Sequence, residues 1–253
     1  AIDANAGSIL ISAPLVLGAP QTWTIAGTGA NGSSLSVSGA IAGLAGNNLL
    51  IAGAPQAVVN FSGLSTYAGT TTFPGLVLQS GATNAFSPNS TFILSPQGTD
   101  QAALRLNGFS SVIGGLSGTG FAENTNATTA VTLTVGKNNE TTTFAGTIRD
   151  GGLTALSLTK VGTGALTLSG TNTFTGNTTV MGGTLNLTGS YVGATATTFL
   201  DYGTSPYQSI VNVSGDVDVF AIRGAQAVGA VSVYNQTAGT VRQFTTLNGG
   251  NQY

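Results

Sequence analysis

Between Ala4 and Thr99 the chain carries no Asp, Glu, Lys or Arg. So long an uncharged run restricts what can fold from it. Charged side chains make up roughly a quarter of an ordinary globular domain, yet only 6% of these 253 residues are charged. Disorder is not the alternative, because disordered segments combine low hydrophobicity with high net charge. Here 41% of residues are hydrophobic and the net charge is −2. The chain must bury a core while its outside consists of uncharged polar groups. Those groups are mainly Gly, Thr, Ser and Asn, which are poor in helix interiors, so the expected elements are strands.

The strands are legible as short alternations of apolar and small polar residues: Ser34-Leu-Ser-Val-Ser38, Val131-Thr-Leu-Thr-Val135, Ala165-Leu-Thr-Leu-Ser169 and Gly183-Thr-Leu-Asn-Leu187. Period two puts the apolar residues on one face, and the bounding Gly and Asn permit tight turns. Such spacing suits a sandwich, a barrel or a solenoid. Internal repetition separates them. Ser62-Gly-Leu-Ser-Thr-Tyr-Ala-Gly-Thr-Thr-Thr-Phe73 and Ser169-Gly-Thr-Asn-Thr-Phe-Thr-Gly-Asn-Thr-Thr-Val180 agree at six of twelve positions, and Tyr67 aligns with Phe174. Phe144-Ala-Gly-Thr-Ile148 is a weaker echo.

A coil that stacks rungs in parallel explains both the repetition and the missing charge. Rungs lie about 4.8 Å apart, so like charges in register repel, whereas Thr, Ser and Asn both donate and accept hydrogen bonds. The fold class expected is all-β, a right-handed parallel β-helix (β-solenoid), with 1–253 as a single domain. At about 20 residues per rung it would have about 10 to 12 rungs and a length of roughly 50 Å.

The segment Leu158-Thr-Lys-Val-Gly-Thr-Gly-Ala-Leu-Thr-Leu-Ser-Gly-Thr-Asn-Thr-Phe-Thr-Gly-Asn-Thr-Thr-Val-Met-Gly-Gly-Thr-Leu-Asn-Leu187 resembles the autotransporter-associated β-strand repeat, also called the passenger-associated transport repeat. Lys160, Gly162, Gly164, Ser169-Gly170, Asn172, Thr173-Phe174, Gly176, Gly183 and Leu185 carry the resemblance. Residues 48–120 look like a degenerate copy, and Val233-Tyr-Asn-Gln-Thr-Ala-Gly-Thr-Val241 is similar to segments common in large exported bacterial proteins with these repeats. The resemblance implies a bacterial protein exported to the cell surface or beyond, a right-handed β-helix and no particular catalysis. The family's membrane barrel does not follow Tyr253, so self-tethered display is not expected of this chain. Ala1-Ile-Asp-Ala4 lacks the basic start and apolar segment of a signal peptide.

Several chemistries are excluded by residue type. The chain has no His and no Cys, which removes Ser–His–Asp and Cys–His catalysis, imidazole and thiolate metal sites, and disulfides. Six basic residues scattered from Arg105 to Arg242 form no patch for nucleic acid. No apolar run reaches the roughly 18 residues of a transmembrane helix, and the strands look short, with few aromatics, for a membrane barrel. Asp216-Val-Asp218, with Asp201 and Arg223 nearby, is the one carboxylate constellation. It suggests a glycosidase-like or Ca²⁺ site or, as the expected reading, a solvated face with local Asp–Arg pairing. Tyr67, Phe174 and Tyr191 suggest a sugar-binding strip or, as expected, core.

Thr141–Thr143 and Thr171, Thr173, Thr175 lack the strict repetition of an ice-binding ladder. The nine Asn-x-Ser/Thr triplets, Asn31, Asn126 and Asn235 among them, are expected by chance in this composition. Gly27-Thr-Gly29 and Gly162-Thr-Gly164 precede no helix and so are not nucleotide loops. No catalytic, cofactor-binding or metal-ligating residue is assigned, and no cofactor is expected.

The expected function is that of a non-enzymatic extracellular structural protein. It would self-assemble into, or form part of, a surface fibre, stalk, sheath or matrix. Neither end shows a polar, charged or Pro-rich cap, so the terminal rungs would offer unpaired backbone to another copy. The alternative is an adhesin-type passenger that binds glycans or surfaces through polar insertions at Asn124–Thr129 or Thr195–Gln208. A β-helical polysaccharide-active enzyme using Asp201, Asp216 and Asp218 is a further reading.

Overall fold

A computed structural model describes residues 8–25, 34–152, 154–192, 199–202, 208–219, 221–223 and 232–243. No helix occurs among them, and every ladder between strands is parallel. The strands stack as a β-solenoid.

The first sheet stacks seven strands from Ser8–Ile11 to Thr147–Gly151, and the longest stacks ten from Gln21–Ile25 to Ser232–Gln236. A six-stranded sheet runs from Ser111–Ile113 to Ala221–Arg223. A short sheet pairs Leu15–Leu17 with Ile41–Gly43, and a C-terminal one stacks Tyr191–Val192, Val217–Val219 and Val241–Gln243. Steps along the longest sheet differ in length: the one from Leu166 to Leu185 is short and the one from Gln21 to Leu49 is long. Most turns are longer than the roughly 20 residues expected, and the ten stacked strands of the longest sheet put the described coil at the low end of the expected 10 to 12 rungs.

Alternation in each strand becomes a column in the coil. On the first sheet Leu35, Val59, Leu78, Leu104, Ala122 and Ile148 stack in register, all buried. On the longest sheet Leu49, Thr71, Phe92 and Leu116 do the same. Each rung covers its neighbour's apolar face, which no rung can bury alone. Tyr67, Phe174 and Tyr191 are all buried here, and Phe174 meets Tyr191 edge to face at 4.9 Å between centroids.

One corner is closed by backbone against backbone. A Cβ on Gly146, Gly170, Gly189 or Gly215 would lie 2.1, 2.1, 2.2 or 1.8 Å from the carbonyl oxygen of Gly120, Gly146, Gly170 or Gly189 respectively. Only glycine lets successive turns approach so closely there. The Gly of Ser169-Gly170 is thus one member of a column running along the rod.

Candidate functional site

The polar side chains do not converge on one cleft. They form columns along the axis and braces at the corners.

One column is ionic. Arg105, Glu123 and Arg149 occupy one register position on three successive levels. The Glu123 side chain is 2% exposed. Arg105 Nε donates to its Oε1 at 2.7 Å, while Arg149 Nη2 and Nε donate to Oε2 at 2.7 and 2.8 Å. The Arg149 guanidinium also lies 3.8 Å from the centroid of the Phe121 ring, a cation–π contact. Charge tolerates in-register stacking here because its sign alternates.

A second column is neutral. Asn186 Nδ2 donates to Thr167 Oγ1 (3.1 Å), Asn212 Nδ2 to Asn186 Oδ1 (2.7 Å) and Asn235 Nδ2 to Asn212 Oδ1 (2.8 Å). Thr143 stands in register below Thr167. Of the Thr tracts considered in the sequence, Thr143 alone enters this ladder. Thr171, Thr173 and Thr175 lie off the strands, between Leu168 and Thr178.

The corner braces include the repeat's own polar residues. Asn172 is buried. Its Oδ1 accepts the Ile148 amide at 3.0 Å, its Nδ2 donates to Gly170 O at 3.2 Å, and its backbone bridges in parallel to Tyr191. It therefore hands the first sheet on to the C-terminal sheet. Asp150 braces the same region, accepting the Leu156 and Thr175 amides at 2.9 and 3.0 Å and the Thr175 hydroxyl at 2.7 Å. Thr71 and Thr178, which align in the two similar twelve-residue segments, each bond a tyrosine hydroxyl inside the coil. Tyr67 meets Thr71 at 2.6 Å and Tyr191 meets Thr178 at 3.0 Å. Burial pushes both phenols well above their ordinary pKa.

Lys160 departs most from expectation. It stands in the inward column Ile113, Val135, Lys160, Val180, where its neighbours are aliphatic. The chain turns a corner immediately after it. There Lys160 Nζ donates to the carbonyls of Val161, Gly162 and Gly182 at 2.7, 3.2 and 3.2 Å. Three donors meet three acceptors that the turn directs inward. Burial lowers its pKa to about 8. Outside this corner lies an open cavity of about 380 Å³, lined by Asn139, Gly162, Thr163, Met181, Gly183 and Gln208 among others.

With this geometry in place, one comparison decides what the corner belongs to. Residues 158–187 match the family described as Passenger-associated-transport-repeat. No curated protein and no solved structure matches the chain. Within the matched passenger-associated transport repeat, Lys160 closes three carbonyls, Gly170 packs turn on turn, Asn172 joins two sheets and Phe174 fills the core. All four act in building the coil.

The Asp constellation is divided. Asp218 binds Arg242 through two bonds at 2.7 and 2.8 Å, and Asp216 accepts the Thr240 amide at 2.8 Å. Asp201 stands on the six-stranded sheet, in register with Arg223, whereas Asp218 is on the C-terminal sheet. The Asp201 and Arg223 side chains lie outside the described residues. Among the described residues no three acidic side chains gather to hold a metal ion. Gly27-Thr-Gly29, Asn31 and most of Thr195–Gln208 also lie outside them.

Sequence reasoning missed the Arg105–Glu123–Arg149 column. The signal was available as charges of alternating sign, each spaced from the next by close to one turn of the coil.

Proposed function

We propose that the chain is a non-enzymatic structural passenger: a rod exported from a bacterium that self-assembles into, or forms part of, an extracellular fibre, stalk, sheath or matrix. The observation that carries this reading is that outward polar side chains are engaged with one another along the axis. Glu123 is bound by two arginines, Asp218 by Arg242, and Asn235 bonds Asn212, which bonds Asn186. Groups committed to the next rung are not free for a substrate, and they stiffen a rod. The passenger-associated transport repeat and the solenoid together fit an autotransporter passenger.

The adhesin reading has less support. It needs a free polar insertion, but Asn124–Thr129 is stitched down. Asn124 is buried, and its amide donates to Thr129 O and Thr154 Oγ1, both at 2.9 Å. The polysaccharide-active reading needs Asp201, Asp216 and Asp218 together, and two of these already have partners on the next turn.

Electron microscopy of the purified chain over a range of concentrations tests the proposal. Rods that associate into regular filaments or bundles as concentration rises support it. Short rods that stay dispersed at the highest concentration overturn self-assembly and favour the adhesin.

A further inference from the structure

The described residues leave exposed a set of large apolar side chains concentrated in the uncharged part of the chain. Val16, Leu44 and Leu64 are 77, 80 and 60% exposed. They belong to one face. Val16 is in register with Ala42 on the short sheet. The next turn continues that sheet's hydrogen bonding, with Thr66 N donating to Ile41 O (2.8 Å) and Ala68 N to Gly43 O (3.1 Å). Thr66 therefore stands above Ala42, which stands above Val16. Leu64 precedes this column by two residues and Leu44 follows it by two, so both point outward with it. The result is an apolar tile three turns high, with Thr66 as its polar member.

What covers such a tile follows from its chemistry. A glycan needs convergent hydrogen-bonding groups, and an anionic membrane needs Lys or Arg; the tile has neither. A charged protein surface would find no countercharge anywhere from Ala4 to Thr99. A second copy of this chain offers the same flat apolar face. Apart from Asp3, every charge in the sequence lies at or beyond Asp100. Two copies meeting through these turns would bury no described charge and face no repulsion.

We propose that the Val16–Leu44–Leu64 face is a lateral contact between two copies, related by a two-fold axis so that each tile covers its counterpart, at the sheet-on-sheet spacing of about 10 Å. The tile is about 14 Å high and 17 Å across from strand geometry. That is a few hundred Å², below the roughly 800 Å² per partner of a stable complex. The contact is therefore weak and reversible by itself and depends on concentration. This inference rests on the self-assembly reading above and specifies the surface that performs it.

Sedimentation equilibrium and electron microscopy of the full chain, wild type beside Val16→Lys/Leu64→Lys, test the contact. Both sites are well exposed, and an unchanged circular dichroism spectrum checks that the variant folds. The expected result is concentration-dependent self-association of the wild type, weakened at least tenfold in the variant. Equal association of both proteins overturns the tile while leaving self-assembly standing through another surface. A wild type that remains monomeric throughout overturns both. Retention of that monomer on uncharged phosphatidylcholine vesicles, lost in the variant, would assign the tile to lipid and likewise overturn the proposal.

Discussion

Glu123 is where the stacking argument can be tested most directly. Replacing it with Gln keeps the shape but removes the charge between Arg105 and Arg149. A fully buried ion pair broken on one side costs about 3–5 kcal/mol, and an exposed pair about 0–1 kcal/mol. Here the carboxylate is 2% exposed, while the arginine side chains are 31 and 38% exposed and partly screened. An intermediate cost of about 2 kcal/mol follows from these limits. At about 2–4 °C per kcal/mol for a chain of this size, Tm falls by about 4–8 °C. Glu123→Lys goes further, placing three cations on successive rungs about 4.8 Å apart. Each adjacent pair then repels by about 1 kcal/mol in water and about 3.5 kcal/mol at an effective dielectric of 20. Thermal unfolding followed by circular dichroism should rank wild type above E123Q, and E123Q above E123K. Raising NaCl to about 1 M, where the Debye length is about 3 Å, should recover part of the E123K loss. If E123K is as stable as E123Q at low salt, in-register repulsion does not explain why the chain avoids charge.

Three further outcomes follow. The Lys160 pKa of about 8 lies below its ordinary 10.5, so between these values the unfolded chain holds a proton that the folded chain has released. Stability therefore rises with pH across that window, by on the order of 1–3 kcal/mol after allowance for screening. Urea unfolding at pH 7 and 9.5 should show the rise in wild type and not in Lys160→Met; this range stays below that in which the buried Tyr67 and Tyr191 phenols cost stability. Gly189→Ala would put a methyl 2.2 Å from the Gly170 carbonyl oxygen, and a loss of about 3 kcal/mol should appear as a lower urea midpoint. Asn212→Leu removes the middle of the amide ladder. It should cost about 1–2 kcal/mol, read as faster amide hydrogen exchange in the strands Gly183–Leu187 and Ser232–Gln236 on either side.

Much of the coil was legible because it depends on local rules. Val131-Thr-Leu-Thr-Val135 reads as a strand by its alternation, and the structure buries Val131, Leu133 and Val135 as that alternation requires. The repeat from Leu158 to Leu187 was legible as a family resemblance, and of its residues Gly170 meets a steric demand that recurs from turn to turn at Gly146, Gly189 and Gly215. Asp216 and Asp218 were legible as carboxylates but not by partner. The nearby Arg223 was the cation considered, whereas Asp218 pairs with Arg242, its register partner one full turn further on.

The sequence by itself determined that the chain is all-β and that its rungs stack in parallel, while for Tyr67, Phe174 and Tyr191 it left a surface strip beside the expected core and the structure buried all three. The strand type and the parallel stacking follow from period-two alternation, internal repetition and the scarcity of charge, which are properties of the sequence itself. Tertiary structure alone decided which residue stands above which: Glu123 between two arginines, Asn172 as the joint between sheets, and Lys160 inside a column of valines and isoleucine. Turn length varies along the rod, as the register pairs Leu166–Leu185 and Gln21–Leu49 illustrate, so register accumulates from every corner. A shift of one residue would reverse inside and outside for a whole strand, so these partners were settled by packing of successive turns rather than by any segment alone.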